Sequence, residues 1–183
     1  RKDGPIYLLQ PHLIDSILQD LGFLDERGSL RERKTSTRAT PAQTTRLIGP
    51  DPEGKPFTHD WNYRSVIGKL NFLEKSTRPD IAYAVHHCAC FMSNPKESHG
   101  HAIKHLGRYL LGTRDKGLLL NPDNDKSFEC YVDADFSGNW DKRIAAEDPN
   151  TAKSRHGFVI KYGGAPMYWA SKLQTHNALS TAE

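Results

Sequence analysis

Residues 128–140 read FECYVDADFSGNW, a run in which apolar and polar residues alternate before two aspartates. Alternation with a period of two predicts a β-strand, whose successive side chains point to opposite faces. Asp133 and Asp135 would then share one face, roughly 6–7 Å apart along the strand. Such a pair is typical of a solvated strand end, where Asp is common, or of a site for a hard cation such as Mg²⁺. The pattern leaves both interpretations open.

Further elements lie on both sides of this stretch. The period of two returns at residues 156–162 and 166–171, and Gly163 and Gly164 between these runs are a hairpin signal. Together with residues 127–135, these runs predict one antiparallel sheet with three strands. Residues 59–116 place apolar residues at three- and four-residue spacing, which predicts three helices. We therefore expect an α+β fold in which the helices precede the sheet.

The first part of the chain has its own pattern. Residues 1–24 predict a short strand and an amphipathic helix. Residues 25–58 lose all periodicity and are rich in charge, Thr, Gly and Pro, which predicts a long exposed loop. The expected organisation is therefore residues 1–24, the loop 25–58, the helical region 59–116 and the sheet-forming region 117–183. Thr58 is the expected N-cap of the first helix in the helical region, and Gly112 is the expected end of the last one.

Composition bounds the class of protein. The chain has 183 residues, enough for one domain or two small ones. It lacks a run of about 18 apolar residues and a signal-peptide pattern, so we expect neither a membrane span nor secretion. Three cysteines without framework spacing indicate reduced thiols and a cytoplasmic or nuclear location. Because the sequence begins without Met and ends in NALSTAE, which resembles the start of a helix, we expect an incomplete chain.

Positive charge is concentrated in the middle of the sequence. Residues 61–120 contain nine Lys or Arg and four Asp or Glu, a surplus of five within a net charge of +3. Such a surplus is typical of phosphate binding and also of an ordinary solvated helical surface. The candidate nucleic-acid-binding residues are Lys69, Arg78, Lys104, Arg108 and Arg114.

Residues 86–105 read HHCACFMSNPKESHGHAIKH and are dense in side chains that bind zinc. His101 and His105 are four residues apart, which can place both rings on one helical face. However, Cys88 and Cys90 would lie about 200° apart on a helix, and no CxxC spacing is present. Surface histidines and buried cysteines are the favoured interpretation, and a structural zinc site is the alternative.

Several blocks resemble one known family. RPDIAYAV at 78–85, RYLLGT at 108–113, YVDADF at 131–136, SRHGFVI at 154–160 and WASKLQT at 169–175 resemble the C-terminal part of a copia-type LTR retrotransposon polyprotein. The resemblance implies that residues 1–24 lead from the reverse transcriptase palm to the thumb. It implies that residues 59–116 are a thumb and connecting region, and that residues 117–183 are the first half of a ribonuclease H domain.

The resemblance also implies a role for one carboxylate. By alignment of YVDADF, Asp133 matches the catalytic aspartate that ends the first strand of ribonuclease H domains and binds Mg²⁺ there. Asp135 is the weaker candidate, a neighbour that adds negative charge. The implied partners are an RNA–DNA hybrid or other nucleic-acid duplex and the remainder of the polyprotein, with no membrane.

The sequence departs from the family pattern at functional positions. A YxDD-like polymerase motif is absent. Glu183 matches the first glutamate of an AEAEY-like pattern whose second glutamate is the metal ligand. Gly100 stands where the family frequently has Trp, and His105 replaces a usual basic residue. We therefore expect the chain to be inactive as polymerase and nuclease, with a non-catalytic nucleic-acid-binding module or a degenerate element without function as alternatives.

Overall fold

The computed structural model describes residues 4–32, 35–43, 48–123, 125–138, 140, 142, 145–146 and 148–177. The chain divides into two compact units. One, here called the helical unit, runs from Tyr7 to Leu118. The other, the sheet unit, comprises Arg1–Ile6 and Leu119–Glu183. None of the described helices has the length and apolar character needed to cross a membrane.

The elements follow the predicted order, with helices before the sheet. In chain order they are strand β1 (Ile6–Leu8), helices α1 (Pro11–Asp20) and α2 (Tyr63–Ser76), a 3₁₀ turn (Pro79–Ile81), helices α3 (Ala82–Ala89) and α4 (Glu97–Leu111), and strands β2 (Leu118–Leu120), β3 (Phe128–Ala134), β4 (Arg155–Tyr162) and β5 (Ala165–Leu173). Strands β1 and β2 pair in a two-stranded sheet, and β3, β4 and β5 form a three-stranded sheet. The prediction of an α+β fold is therefore confirmed.

Local sequence sets the helix ends. Pro11 begins α1, where its missing N–H costs no hydrogen bond. The N-cap of α2 is Asn62, whose side chain accepts a hydrogen bond from the Ser65 N–H at 2.9 Å. Thr58 was therefore the wrong N-cap, because Asn62 supplies the same acceptor closer to the apolar stripe of the helix. Gly112 is the C-cap of α4, as its sequence predicts.

The core of the helical unit is built from the apolar stripes of its helices. Ile14 and Ile17 from α1, Ile67 from α2, Val85 from α3 and Ile103 from α4 are all fully buried. They belong to one continuous hydrophobic cluster. Apolar burial of this kind, about 1.5–3 kcal/mol for each large side chain, supplies most of the stability of short helices.

The predicted loop 25–58 contains no helix in its described part, residues 25–32, 35–43 and 48–58. Most of these residues are exposed, but Ala42, Ile48 and Phe57 pack partly against the helical core. Lys55 accepts a hydrogen bond from the Glu97 N–H at 3.0 Å. The loop is thus anchored to the helices at separate points along its length.

The three-stranded sheet is antiparallel, as predicted. Phe128 pairs with Tyr162 and Ala134 with His156 across β3 and β4. The connection between β4 and β5 is the Gly163–Gly164 turn, where φ is +58° and +78°. Positive φ at both positions is the left-handed conformation that a two-residue hairpin turn requires and that glycine adopts without strain.

Candidate functional site

Asp133 lies one residue before the end of β3 and is exposed. Its partner in the register is Gly157 of β4, which in turn pairs with Ser171 of β5. A Cβ placed at Gly157 would meet one backbone atom, the Ala170 oxygen, at 3.5 Å. Because Gly157 has no side chain, the surface beside Asp133 is open, and a ligand can approach the carboxylate from solvent.

Asp135 has a different environment from Asp133. It lies beyond the last residue of β3, and its Oδ1 accepts a hydrogen bond from the Arg155 N–H at 2.6 Å. Its own N–H donates to the Arg155 carbonyl at 2.9 Å. Asp135 therefore joins the end of β3 to the start of β4. This bonding gives Asp135 a structural role, which the alternation of the sequence did not reveal.

A Mg²⁺ ion at this strand end would need several ligands close to Asp133. Among them, Asp133 is not part of any group of three His, Cys, Asp or Glu whose ligand atoms lie close together. Glu183 and the predicted helix start at residues 178–183 lie outside the described residues. Magnesium demands octahedral coordination by oxygen, and a two-metal site needs several carboxylates. Among the described residues, the ligand set of a magnesium site around Asp133 is therefore incomplete.

Arg78, one of the five candidate nucleic-acid-binding residues, is 1% exposed. Its guanidinium donates to both carboxylate oxygens of Asp80, at 2.9 Å and 2.8 Å. It also donates to the Thr113 carbonyl at 3.0 Å and to the Thr113 hydroxyl at 2.7 Å. Since these donors are used inside the protein, the Arg78 guanidinium is not available to a phosphate.

The Arg78 network joins the two sequence blocks that carry the family resemblance, RPD at 78–80 and RYLLGT at 108–113. The Tyr109 hydroxyl donates to Asp80 Oδ2 at 2.7 Å, and the Arg78 guanidinium lies 5.6 Å from the Tyr109 ring centroid. Burial by itself would raise the pKa of Asp80, but the hydrogen bonds from Arg78 and Tyr109 outweigh it and lower that pKa. Both blocks therefore serve packing between the 3₁₀ turn and the end of α4.

Two further candidates are engaged in ion pairs. The Lys69 ammonium lies 2.6 Å from Asp20 Oδ2 and donates to the Ser16 hydroxyl at 2.8 Å. Arg114 Nη2 lies 2.5 Å from Asp15 Oδ1. Each of these contacts ties a basic side chain to α1, so part of the positive surplus is neutralised locally.

Lys104 and Arg108 remain as candidates for phosphate contact. They are four residues apart on α4, half-buried, and form no ion pair within the described part of the chain. Arg38 is exposed, and its N–H donates to the Arg108 carbonyl at 3.3 Å. Positive charge from both Arg38 and Arg108 contributes to lowering the pKa of His105, although burial is the larger cause. Sequence reasoning missed Arg38 because it lies in a loop without periodicity, although the basic run RERKTSTR was a signal.

The His- and Cys-rich segment does not assemble in the way that the zinc alternative required. His105 is buried, and its Nε2 lies 3.0 Å from the Thr40 carbonyl. Cys88 is buried and Cys90 is exposed. His99 Nδ1 accepts from the Lys96 N–H at 2.9 Å, while its Nε2 lies 2.8 Å from the Gly49 carbonyl. Because an N–H only donates and a carbonyl only accepts, Nε2 carries the single proton and the ring is neutral.

A different group of side chains does converge. His59, in the loop before α2, and Glu97 and His101, in the first turns of α4, place one ligand atom each within 4.8 Å of one another. The spacing of Glu97 and His101, i and i+4 on a helix, was a signal for two of the three. His59 is far away in sequence and carried no signal of its own.

Comparison with known proteins finds relatives of most of the chain. The retrovirus-related Pol polyprotein from transposon RE2 of Arabidopsis thaliana is 34% identical over 97% of this chain and 11% of that protein. That from transposon TNT 1-94 of Nicotiana tabacum is 38% identical over 66% of this chain and 8% of that protein. The secreted RxLR effector protein 161 of Plasmopara viticola is 34% identical over 66% of this chain and 79% of that protein.

The chain thus spans about a tenth of the length of the Pol polyproteins that it matches. No protein-family model matches the chain. No solved structure matches it either.

Proposed function

We propose, from the premise that this chain belongs to the family of retrovirus-related Pol polyproteins of copia-type transposons, that it serves reverse transcription. In this proposal residues 1–24 lead from palm to thumb, and residues 59–116, with the loop 25–58 packed on them, form a thumb and connecting region that holds a nucleic-acid duplex. Residues 117–183 contribute to a ribonuclease H-like domain. The remainder of the polyprotein is the partner.

The proposal rests on a difference among the basic residues of the helical unit, since some are paired with groups inside the protein and others are not. Lys69, Arg78 and Arg114 are satisfied by contacts inside the protein. Lys104 and Arg108 share one face of α4 and have no ion-pair partner among the described residues, and Arg38 is close to Arg108. Basic side chains left unpaired beside one another favour contact with phosphates, which release counterions on binding.

Fluorescence anisotropy with a labelled RNA–DNA hybrid tests the interface. The affinity is expected to fall as salt rises, because each phosphate contact contributes about 0.9 to the slope of log K against log salt. The double variant Lys104→Gln/Arg108→Gln should reduce that slope by about 2. Lys69→Gln/Arg114→Gln is the matched control, since it removes the same charge from side chains that are already paired and should leave the slope nearly unchanged.

Two results of this experiment would contradict the proposed interface. Equal reduction of the slope in both double variants would show that net charge, and not this face of α4, determines binding. Absence of binding at low salt would refute the duplex-binding function.

For the sheet unit we propose that Asp133 is the catalytic carboxylate and first Mg²⁺ ligand of the ribonuclease H-like domain. When bound, the cation would supply the activation of the attacking water. Asp133 would hold the cation from the open strand end beside Gly157. Among the described residues Asp133 is not part of a group of three ligands, so we propose that the chain by itself does not hydrolyse the hybrid.

The lack of a ligand set around Asp133 in the described residues favours a second candidate function, a non-catalytic nucleic-acid-binding module. Incubating the chain with an RNA–DNA hybrid and Mg²⁺, with Asp133→Asn as the control, tests the inactivity that both proposals expect of the chain by itself. Binding without cleavage is the expected result. Magnesium-dependent cleavage that is lost in Asp133→Asn would contradict the proposed inactivity and establish Asp133 as catalytic.

A further inference from the structure

The side chains of His59, Glu97 and His101 form a cluster with the spacing of metal ligands. His59 Nε2 lies 3.2 Å from Glu97 Oε1, and His101 Nε2 lies 3.5 Å from the same oxygen. A tetrahedral Zn²⁺ with bonds of about 2.0–2.2 Å holds neighbouring ligand atoms about 3.3 Å apart. Two of the three separations lie on either side of that value, and the third, between the two imidazoles, is within 4.8 Å. The three atoms are therefore close enough to share one ion.

Backbone geometry fixes two of the three ligands and makes room for the third. Glu97 and His101 are i and i+4 on α4, which places them on one face of the helix. A Cβ at Gly100 would meet His59 Cδ2 at 2.5 Å. The His59 ring therefore occupies space that any larger residue at position 100 would fill. Trp61 stacks against the His59 ring, with centroids 5.4 Å apart, and holds its orientation.

Hydrogen bonds within the cluster do not satisfy all of its polar atoms. His59 Nε2 is buried and makes no hydrogen bond, although it lies near Glu97, because the two groups are not aligned for one. The lone pair of a neutral imidazole nitrogen is the group that binds metals.

We propose that His59, Glu97 and His101 form a binding site for a transition-metal dication of the Zn²⁺ type. Two imidazoles and one carboxylate are a common ligand set for this ion, with water in the fourth position. His101, whose side chain is 65% exposed, is on the solvent side and leaves that position open. The ion joins the loop residue 59 to the first turns of α4 and replaces the imperfect contact between His59 and Glu97 with two bonds.

Titration of the metal-free full chain with Co²⁺, followed by visible absorption, tests the site. One equivalent should bind with the spectrum of a tetrahedral ion and without a thiolate charge-transfer band, and Zn²⁺ should displace it. His101→Ala should weaken binding by more than the roughly 10–100-fold that changes to outer-shell residues cause. His12→Ala, which removes an exposed histidine from α1, is the matched control and should bind as the wild type does.

The readouts separate this site from other sources of metal binding. Because His101 is exposed, the His101→Ala chain is expected to fold, and its circular dichroism checks this. Glu97→Gln should lose binding with the helix intact. A thiolate band would place the ion on a cysteine, and equal affinity of the His101→Ala and His12→Ala variants would place it elsewhere. Either result, or the absence of saturable binding in the wild type, overturns the proposal.

Discussion

Replacing Arg78 by Met separates a structural role of this side chain from contact with nucleic acid. Met keeps much of the length and apolar volume of the side chain but removes all its donors. The buried Thr113 carbonyl then loses the Arg78 hydrogen bond, and an unsatisfied buried acceptor costs about 1–3 kcal/mol. Asp80 loses its bonds to the guanidinium but keeps the one from Tyr109.

The expected loss in the free energy of unfolding is about 3 kcal/mol, at the low end of the 3–5 kcal/mol typical of breaking a buried ion pair. The low end applies because the Asp80 side chain is 38% exposed, so water replaces part of what it loses. Urea denaturation followed by far-ultraviolet circular dichroism measures this change. Arg64→Met is the matched control. Arg64 is exposed, and the control should cost less than about 1 kcal/mol.

Binding of the RNA–DNA hybrid completes the test. Under conditions where both variants are folded, Arg78→Met should bind with the affinity of the wild type, because its guanidinium does not reach solvent. A loss of stability under 1 kcal/mol, together with weaker hybrid binding, would refute the structural role and restore Arg78 as a phosphate contact.

Three further predictions follow from the side-chain environments. Burial lowers the pKa values of His99 and His105, so these side chains bind protons more readily in the unfolded chain. The free energy of unfolding should therefore fall as the pH drops below about 6.5. His99→Gln should flatten that decline in pH-dependent urea melts. Burial by itself raises the pKa of Glu74, but hydrogen bonds from His86 and Lys75 lower it overall. The stability that this carboxylate contributes is present above about pH 4.3 and lost below it. Glu74→Gln should therefore reduce the loss of stability at acidic pH, whereas Glu53→Gln should not. Gly100→Ala should cost about 1–3 kcal/mol through overpacking against the His59 ring, and thermal melts that match the wild type would show that the ring moves aside freely.

Much of the architecture was predictable because it depends on local periodicity. The alternation in residues 127–135, 156–162 and 166–171, with the double glycine at 163–164, was sufficient to predict three antiparallel strands. The apolar stripe of α4 and Gly112 were sufficient for that helix and its end. Each of these signals lies within one element or in the turn or cap next to it, so the residues that form it are close together in the sequence.

The environment of individual polar residues was not predictable, because it depends on contacts between distant segments. Arg78 has the charge expected of a phosphate ligand, but it is buried and its guanidinium donates to Asp80 and Thr113. Asp135 follows the same alternation as Asp133, but its carboxylate is bonded to the backbone of Arg155. His59 joins Glu97 across the loop that precedes α2. Residue type and spacing do not specify such pairings.

The position of β3 at one side of its sheet affects how Asp133 variants should be interpreted. In the described part of the chain β3 pairs with β4 alone, and Phe128 and Val132 are 73% and 71% exposed. An open strand edge with apolar side chains is a template for pairing with another molecule, and charges on such a strand oppose that association. Asp133 and Glu129 are the acidic residues of β3. Asp133→Asn therefore removes a charge that opposes such association as well as the proposed metal ligand. A change in hybrid binding or cleavage in that variant is informative only when light scattering shows that it has the same oligomeric state as the wild type.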